Sequence, residues 1–157
     1  MTIHVVLYQP LIPANTGNIA RTCAGTDAHL HLIHPLGFST DDKSLKRAGL
    51  DYWHNVEISH YDSLDELFAK YPEGSFYYIT KFGERRYTEP TYGKEEDVFF
   101  IFGQETKGLP DELTAAHPER CLRIPMDDSH IRALNLSNTA AILVYEALRQ
   151  RDFDQLT

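Results

Sequence analysis

Val98-Phe99-Phe100-Ile101-Phe102, followed directly by Gly103-Gln104-Glu105-Thr106-Lys107-Gly108-Leu109-Pro110, is the stretch from which the fold is read. The first five residues are all apolar and favour β structure, leaving no polar face. Such a strand is covered on both sides, as in the middle of a parallel sheet flanked by helices. The turn that follows then falls at a C-terminal strand end, where open α/β sheets bind their ligands. Gly103 and Gly108 allow a tight turn and a close approach of backbone to a ligand. Their spacing matches neither G-x-G-x-x-G nor G-x-x-x-x-G-K-[ST], so it supports neither a dinucleotide-binding fold nor a P-loop.

Outward from this strand, short apolar runs alternate with helical patterns. Strands are expected at 3–8 (IHVVLY), 30–34, 56–59, 76–80 (FYYIT), 98–102 and 121–124. Helices are expected at 15–26, 42–50, 63–71, 111–116 and 137–151. Ile19, Ala20, Cys23 and Ala24 mark the inward face of the first helix. Ala140, Leu143, Val144, Ala147 and Leu148 mark that of the last. The pattern predicts an α/β fold, a mostly parallel sheet with helices on both faces, as a single domain over 1–157.

With 15 basic and 23 acidic residues, the net charge of −8 removes any global basic footprint for nucleic acid. A polyanion would have to be met locally, by Lys43, Lys46 and Arg47 or by Lys81, Arg85 and Arg86. No apolar run approaches the ~20 residues of a membrane span. The first residues show no secretion signal, so a cytoplasmic protein with no membrane partner is expected. Cys23 and Cys121 lie outside any C-x-x-C pattern and read as buried, reduced residues. His29, His31 and His34 lack cysteine or carboxylate partners at ligand spacing, so no metal is expected.

Two further loops carry polar groups. Asn135-Leu136-Ser137-Asn138 sets amide and hydroxyl side chains around a helix start, with Ser137 or Asn135 as N-cap. In Asn15-Thr16-Gly17-Asn18-Ile19-Ala20-Arg21, free amides at a helix start would favour an anion, with Arg21 one turn beyond Asn18.

Four segments together resemble the motifs of the SPOUT methyltransferases: NTGNIARTCAGT from Asn15, PLGFSTDDKSLKRAGLDYW from Pro35, FGQETKGLP from Phe102, and IPM with LNLSNTAAILVYEALRQ from Leu134. The resemblance is to the small, single-domain members that methylate the ribose of the tRNA wobble nucleotide. It implies a C-terminal trefoil knot, which general topology rules would not predict. It also implies S-adenosyl-L-methionine, held largely by backbone groups at Ile79, Thr80, Gly103, Ile124, Met126, Ala133 and Leu134, with S-adenosylhomocysteine as product. The implied catalytic residue is Arg21, with Asn15 and Asn18 sharing its site and Ser137 and Asn138 positioning the hydroxyl. The implied substrate is the wobble cytidine or modified uridine of leucine tRNAs. The implied assembly is a homodimer with the final helix, around Tyr145 and Leu148, as a dimer surface. Another tRNA or ribosomal RNA position, or a non-catalytic RNA-binding dimer, remains open at this stage.

Overall fold

The computed structural model describes residues 1–49 and 53–157. Seven strands form one sheet: β1 (Ile3–Tyr8), β2 (His29–Ile33), β3 (Ile58–Tyr61), β4 (Ser75–Ile79), β5 (Arg85–Arg86), β6 (Val98–Phe102) and β7 (Cys121–Arg123). Their order is β3-β2-β1-β6-β4-β7-β5, and all the pairings between them are parallel. The helices are α1 (Pro13–Thr26), α2 (Lys43–Gly49), α3 (Leu64–Lys70), α4 (Asp111–Ala116) and α5 (Leu136–Gln150). Leu50, the expected end of α2, lies outside the described residues.

The all-apolar run of β6 has the reason anticipated for it. Phe100 and Phe102 pack into a core with Ile19, Ala20 and Cys23 of α1 and the whole expected stripe of α5. Phe99 and Ile101 point to the opposite face, against Leu64 and Leu67 of α3 and Leu113 of α4. Leu148 is 6% exposed within the first core, so it is a packing residue and not the dimer contact expected from the sequence, whereas Tyr145 is 48% exposed. Burial pushes the Cys23 thiol up to about 12, which makes it an inert core residue. No helix among the described residues is long and apolar enough to cross a membrane.

Three elements depart from the expectation. α1 begins at Pro13, because proline suits a first helical position, and the Asn15 and Thr16 amides already donate to the Ile12 carbonyl. β3 lies two residues later than expected, since a 3₁₀ turn at Trp53–Asn55 takes up the chain before it. β5 falls in a segment expected to be loop. Two arginines carry no strand signal, and the pairing of Arg85 with Leu122 and Arg86 with Arg123 of β7 supplies one.

Strand order also places the loops. β4 lies between β6 and β7, and its last residue, Ile79, pairs with both Phe102 and Leu122. The loops after these three strands therefore leave the same edge side by side, next to the end of β1, where Leu7 pairs with Phe102. At the far end of α5, the buried guanidinium of Arg151 donates to the carbonyls of Met1, Tyr92, Gly93 and Glu96, joining the tail to the start of β1.

Leu143 of α5 is fully buried. Leu143→Ala should lower unfolding stability by about 2–5 kcal/mol, read from the urea midpoint.

Candidate active site

The loop after β6 folds back on itself. Gln104 and Gly108 exchange backbone hydrogen bonds of 3.3 and 2.9 Å. A Cβ on Gly103 would come within 2.4 Å of the Gly108 carbonyl carbon, and Gly108 has φ +68°. Both positions therefore require glycine. The closed loop carries Glu105 to the start of α1, where its carboxylate accepts from the Leu11 and Ile12 amides, both at 2.9 Å, and from Asn15 Nδ2 at 3.3 Å. Ile12, the N-cap of α1, has no side-chain cap of its own. An acidic group from a distant loop thus satisfies donors at a helix start, where the macrodipole also favours it. The external anion expected here from the sequence is corrected: the anion is the protein's own Glu105.

Asn15 is 7% exposed and passes the connection on. Its Oδ1 accepts from Asn135 Nδ2 at 3.2 Å. Asn135 Oδ1 in turn accepts from the Ser137 and Asn138 amides at 2.9 and 3.4 Å and from Ser137 Oγ at 2.5 Å. Asn135 is therefore the N-cap of α5. The chemistry fixes each amide's orientation. A carboxylate only accepts, so Asn15 must turn its NH₂ to Glu105 and its oxygen to Asn135. One polar chain thus links two helix starts and three motif loops.

The other expected residues fall into two groups. Arg21 and Asn18 lie on an exposed stripe of α1 with Ala14 and Gly25. Arg21 is six residues from Asn15, about 120° around the helix, so the two side chains leave α1 in different directions. Asn15 is engaged through both ends of its amide, with Glu105 and with Asn135. Ser137 donates its hydroxyl proton to Asn135, so its Oγ can only accept from a further hydroxyl.

The cofactor residues cluster by strand order. Ile79 ends β4 and Thr80 follows it, Gly103 follows β6, and Ile124 and Met126 follow β7. Thr80 N donates to the Leu122 carbonyl at 2.9 Å. Lys81 Nζ donates to the Arg132 carbonyl at 3.1 Å and draws the segment of Ala133 and Leu134 back toward β4. Ile79, Ile124, Met126 and Leu134 are half-buried, and Ala133 is exposed. A cleft of about 260 Å³ opens nearby, lined among others by Thr80, Phe82, Gly108 and Leu109. Of the seven expected cofactor residues, Thr80 is the one that lines it. The sequence marks no role for Glu105, because its partners lie 90 or more residues away. Its one signal was a charged residue inside a loop otherwise dictated by glycine.

Residues 2–145 match the SpoU rRNA Methylase family, and the chain belongs to it. Within that class it is a TrmL-like SPOUT methyltransferase. A Listeria innocua protein, provisionally named a tRNA (cytidine(34)-2′-O)-methyltransferase, is 68% identical over 99% of this chain and 92% of its own length. A structure solved in work on the 2-OH methylation of C/U34 on tRNA superposes with TM-score 0.88 at 41% identity, covering 97% of each chain. An AdoMet-bound rRNA methyltransferase from Sinorhizobium meliloti superposes with TM-score 0.81 at 25% identity, covering 94% of this chain and 56% of that one. The half-buried apolar side chains at these strand ends, beside the open face of Gly108, fit an adenosyl group.

Glu105→Ala leaves two backbone amides and Asn15 without their acceptor. It should cost about 1–3 kcal/mol in urea unfolding, and Glu105→Gln, which keeps one acceptor oxygen, should cost less.

Proposed function

We propose that this chain transfers a methyl group from S-adenosyl-L-methionine to the ribose 2′-hydroxyl of a tRNA wobble nucleotide, a cytidine or modified uridine of leucine tRNAs. The observation that carries this reading is the Glu105-Asn15-Asn135 chain, which gathers the three motif loops of a TrmL-like protein at one sheet edge. Relatives of near-equal length that carry the same activity in their names or descriptions support it.

The cofactor, when bound, supplies an electrophilic sulfonium methyl. Ile79, Thr80, Gly103, Ile124, Met126, Ala133 and Leu134 would hold its adenosyl part within a C-terminal segment threaded as a trefoil knot. The protein would have to position a ribose hydroxyl beside that group and stabilise the negative charge that develops on its oxygen, the proton passing to water. Ser137 Oγ is set to accept from that hydroxyl. The guanidinium of Arg21 offers donors and no acceptor, so it acts electrostatically on the developing oxyanion and grips the adjacent phosphate. Asn18, on the same stripe, flanks it.

The exposure of that stripe, and its angle from Asn15, favour a homodimer in which a second copy brings Arg21 to the site. Two copies also pair the basic clusters of α2 and β5, the local answer to a net charge of −8. The setting for this activity is the cytoplasm, where tRNA is matured.

The test is methylation of tRNA from cells lacking this protein, with labelled cofactor and mapping of the product nucleotide. A ribose-methylated wobble nucleotide is expected, and a methyl on a base nitrogen would contradict the reading. Arg21→Ala should cut turnover about 10²-fold or more while cofactor binding persists, and Arg21→Lys should recover only part of it. Turnover by Arg21→Ala near the unaltered rate would remove Arg21 from the mechanism.

A further inference from the structure

The sequence presents His29, His31 and His34 as neighbours, but the fold regroups them. Parallel pairing sets His4 of β1 opposite His29 of β2, and His31 lies on the same face two residues on. His34 instead pairs with His60, with Nε2 and Nδ1 2.8 Å apart. His4, His29 and His31 are all buried, and each offers a ring nitrogen within 4.8 Å of the other two. His4 stacks on Phe99 at 4.0 Å between ring centroids, on the sheet face that α3 covers.

We propose that His4, His29 and His31 form a binding site for a divalent cation of the zinc class, separate from the methyl-transfer edge. The geometry of the outer partners supports this. His4 Nδ1 and His31 Nε2 face each other at 2.8 Å, and their opposite nitrogens are each held by oxygen. His4 Nε2 meets Asp97 Oδ1 at 3.3 Å, and His31 Nδ1 meets the Tyr61 hydroxyl at 3.0 Å. His29 Nε2 meets Ser59 Oγ at 2.9 Å. Each of these oxygens can accept a proton-bearing nitrogen, the arrangement that orients imidazole ligands around zinc. Asp97 is further fixed by the Thr2 amide at 3.0 Å.

Without metal, the same groups form a neutral relay: Tyr61 donates to His31, His31 to His4, and His4 to Asp97. On metal entry the His31 proton shifts from Nε2 to Nδ1 and the Tyr61 hydroxyl becomes acceptor, with no net proton released. The facing nitrogens must open from 2.8 Å to about 3.3 Å, the separation set by zinc–nitrogen bonds of about 2.0–2.1 Å. Glu57, exposed and 3.8 Å from His29 Nδ1, marks the solvent side of the cluster. Imidazole nitrogens select zinc, cobalt, nickel or copper over magnesium or calcium.

The test is titration of chelator-treated full-length protein with Co²⁺. One equivalent should produce the visible bands of a tetrahedral site, Zn²⁺ should displace it, and Zn²⁺ should raise the thermal midpoint by several degrees. His29→Asn, at the rim of the cluster, should keep the circular dichroism of the parent and weaken Co²⁺ binding at least tenfold. His34→Asn should leave binding unchanged. Absence of Co²⁺ uptake by the folded parent, or uptake unaffected by His29→Asn, overturns the proposal and leaves the methyl-transfer reading untouched.

Discussion

One carboxylate organises the working edge of this protein. Glu105 leaves a loop whose shape is set by two obligatory glycines and closes over the Leu11 and Ile12 amides. These donors would otherwise lie at a helix start with no cap of its own, next to a fully packed strand end. A charge-assisted acceptor satisfies both and fits the dipole of α1. Through Asn15 it also fixes Asn135, and through Asn135 the first turn of α5. The relative placement of three loops then depends on one polar chain. The loops after β4 and β7 join this edge through backbone and Lys81 bonds, so no separate rigid element is needed to hold the segment around Arg132 near.

How far the sequence foretold this differs from element to element. β6 and the buried stripe of α5 were legible to the residue, because an unbroken apolar run and a 3.6-residue period each admit one burial pattern. β3 slipped by two residues, since local propensity does not reveal a 3₁₀ turn ahead of a strand. β5 was invisible, because two arginines become a strand only through a neighbour. The motif loops were legible as loops, and the family resemblance assigned their residues. The Glu105-Asn15-Asn135 chain was not, since its members are 90 and 120 residues apart and only the strand order brings them together. The regrouping of His4 with His29 depends on parallel register in the same way.

The sheet thus separates two kinds of polar construction. Its C-terminal edge gathers loops with committed hydrogen bonds around an open cleft, the edge proposed for methyl transfer. Toward the starts of β1 and β2, three histidines lie buried against Phe99 and Tyr71, with every outer nitrogen matched to an oxygen. A buried polar group without a partner is costly. Both constructions spread their polar groups over shared hydrogen bonds, one as a clamp between loops and the other as a staple across the first two strands.

The most direct test of the clamp is amide hydrogen exchange at Leu11, Ile12, Ser137 and Asn138. In the unaltered protein all four should exchange far more slowly than free peptide, and in Glu105→Ala protection should fall at Leu11 and Ile12 and also at the start of α5. Free-peptide exchange at Leu11 and Ile12 in the unaltered protein would contradict the account, as would a loss in Glu105→Ala that stops at α1.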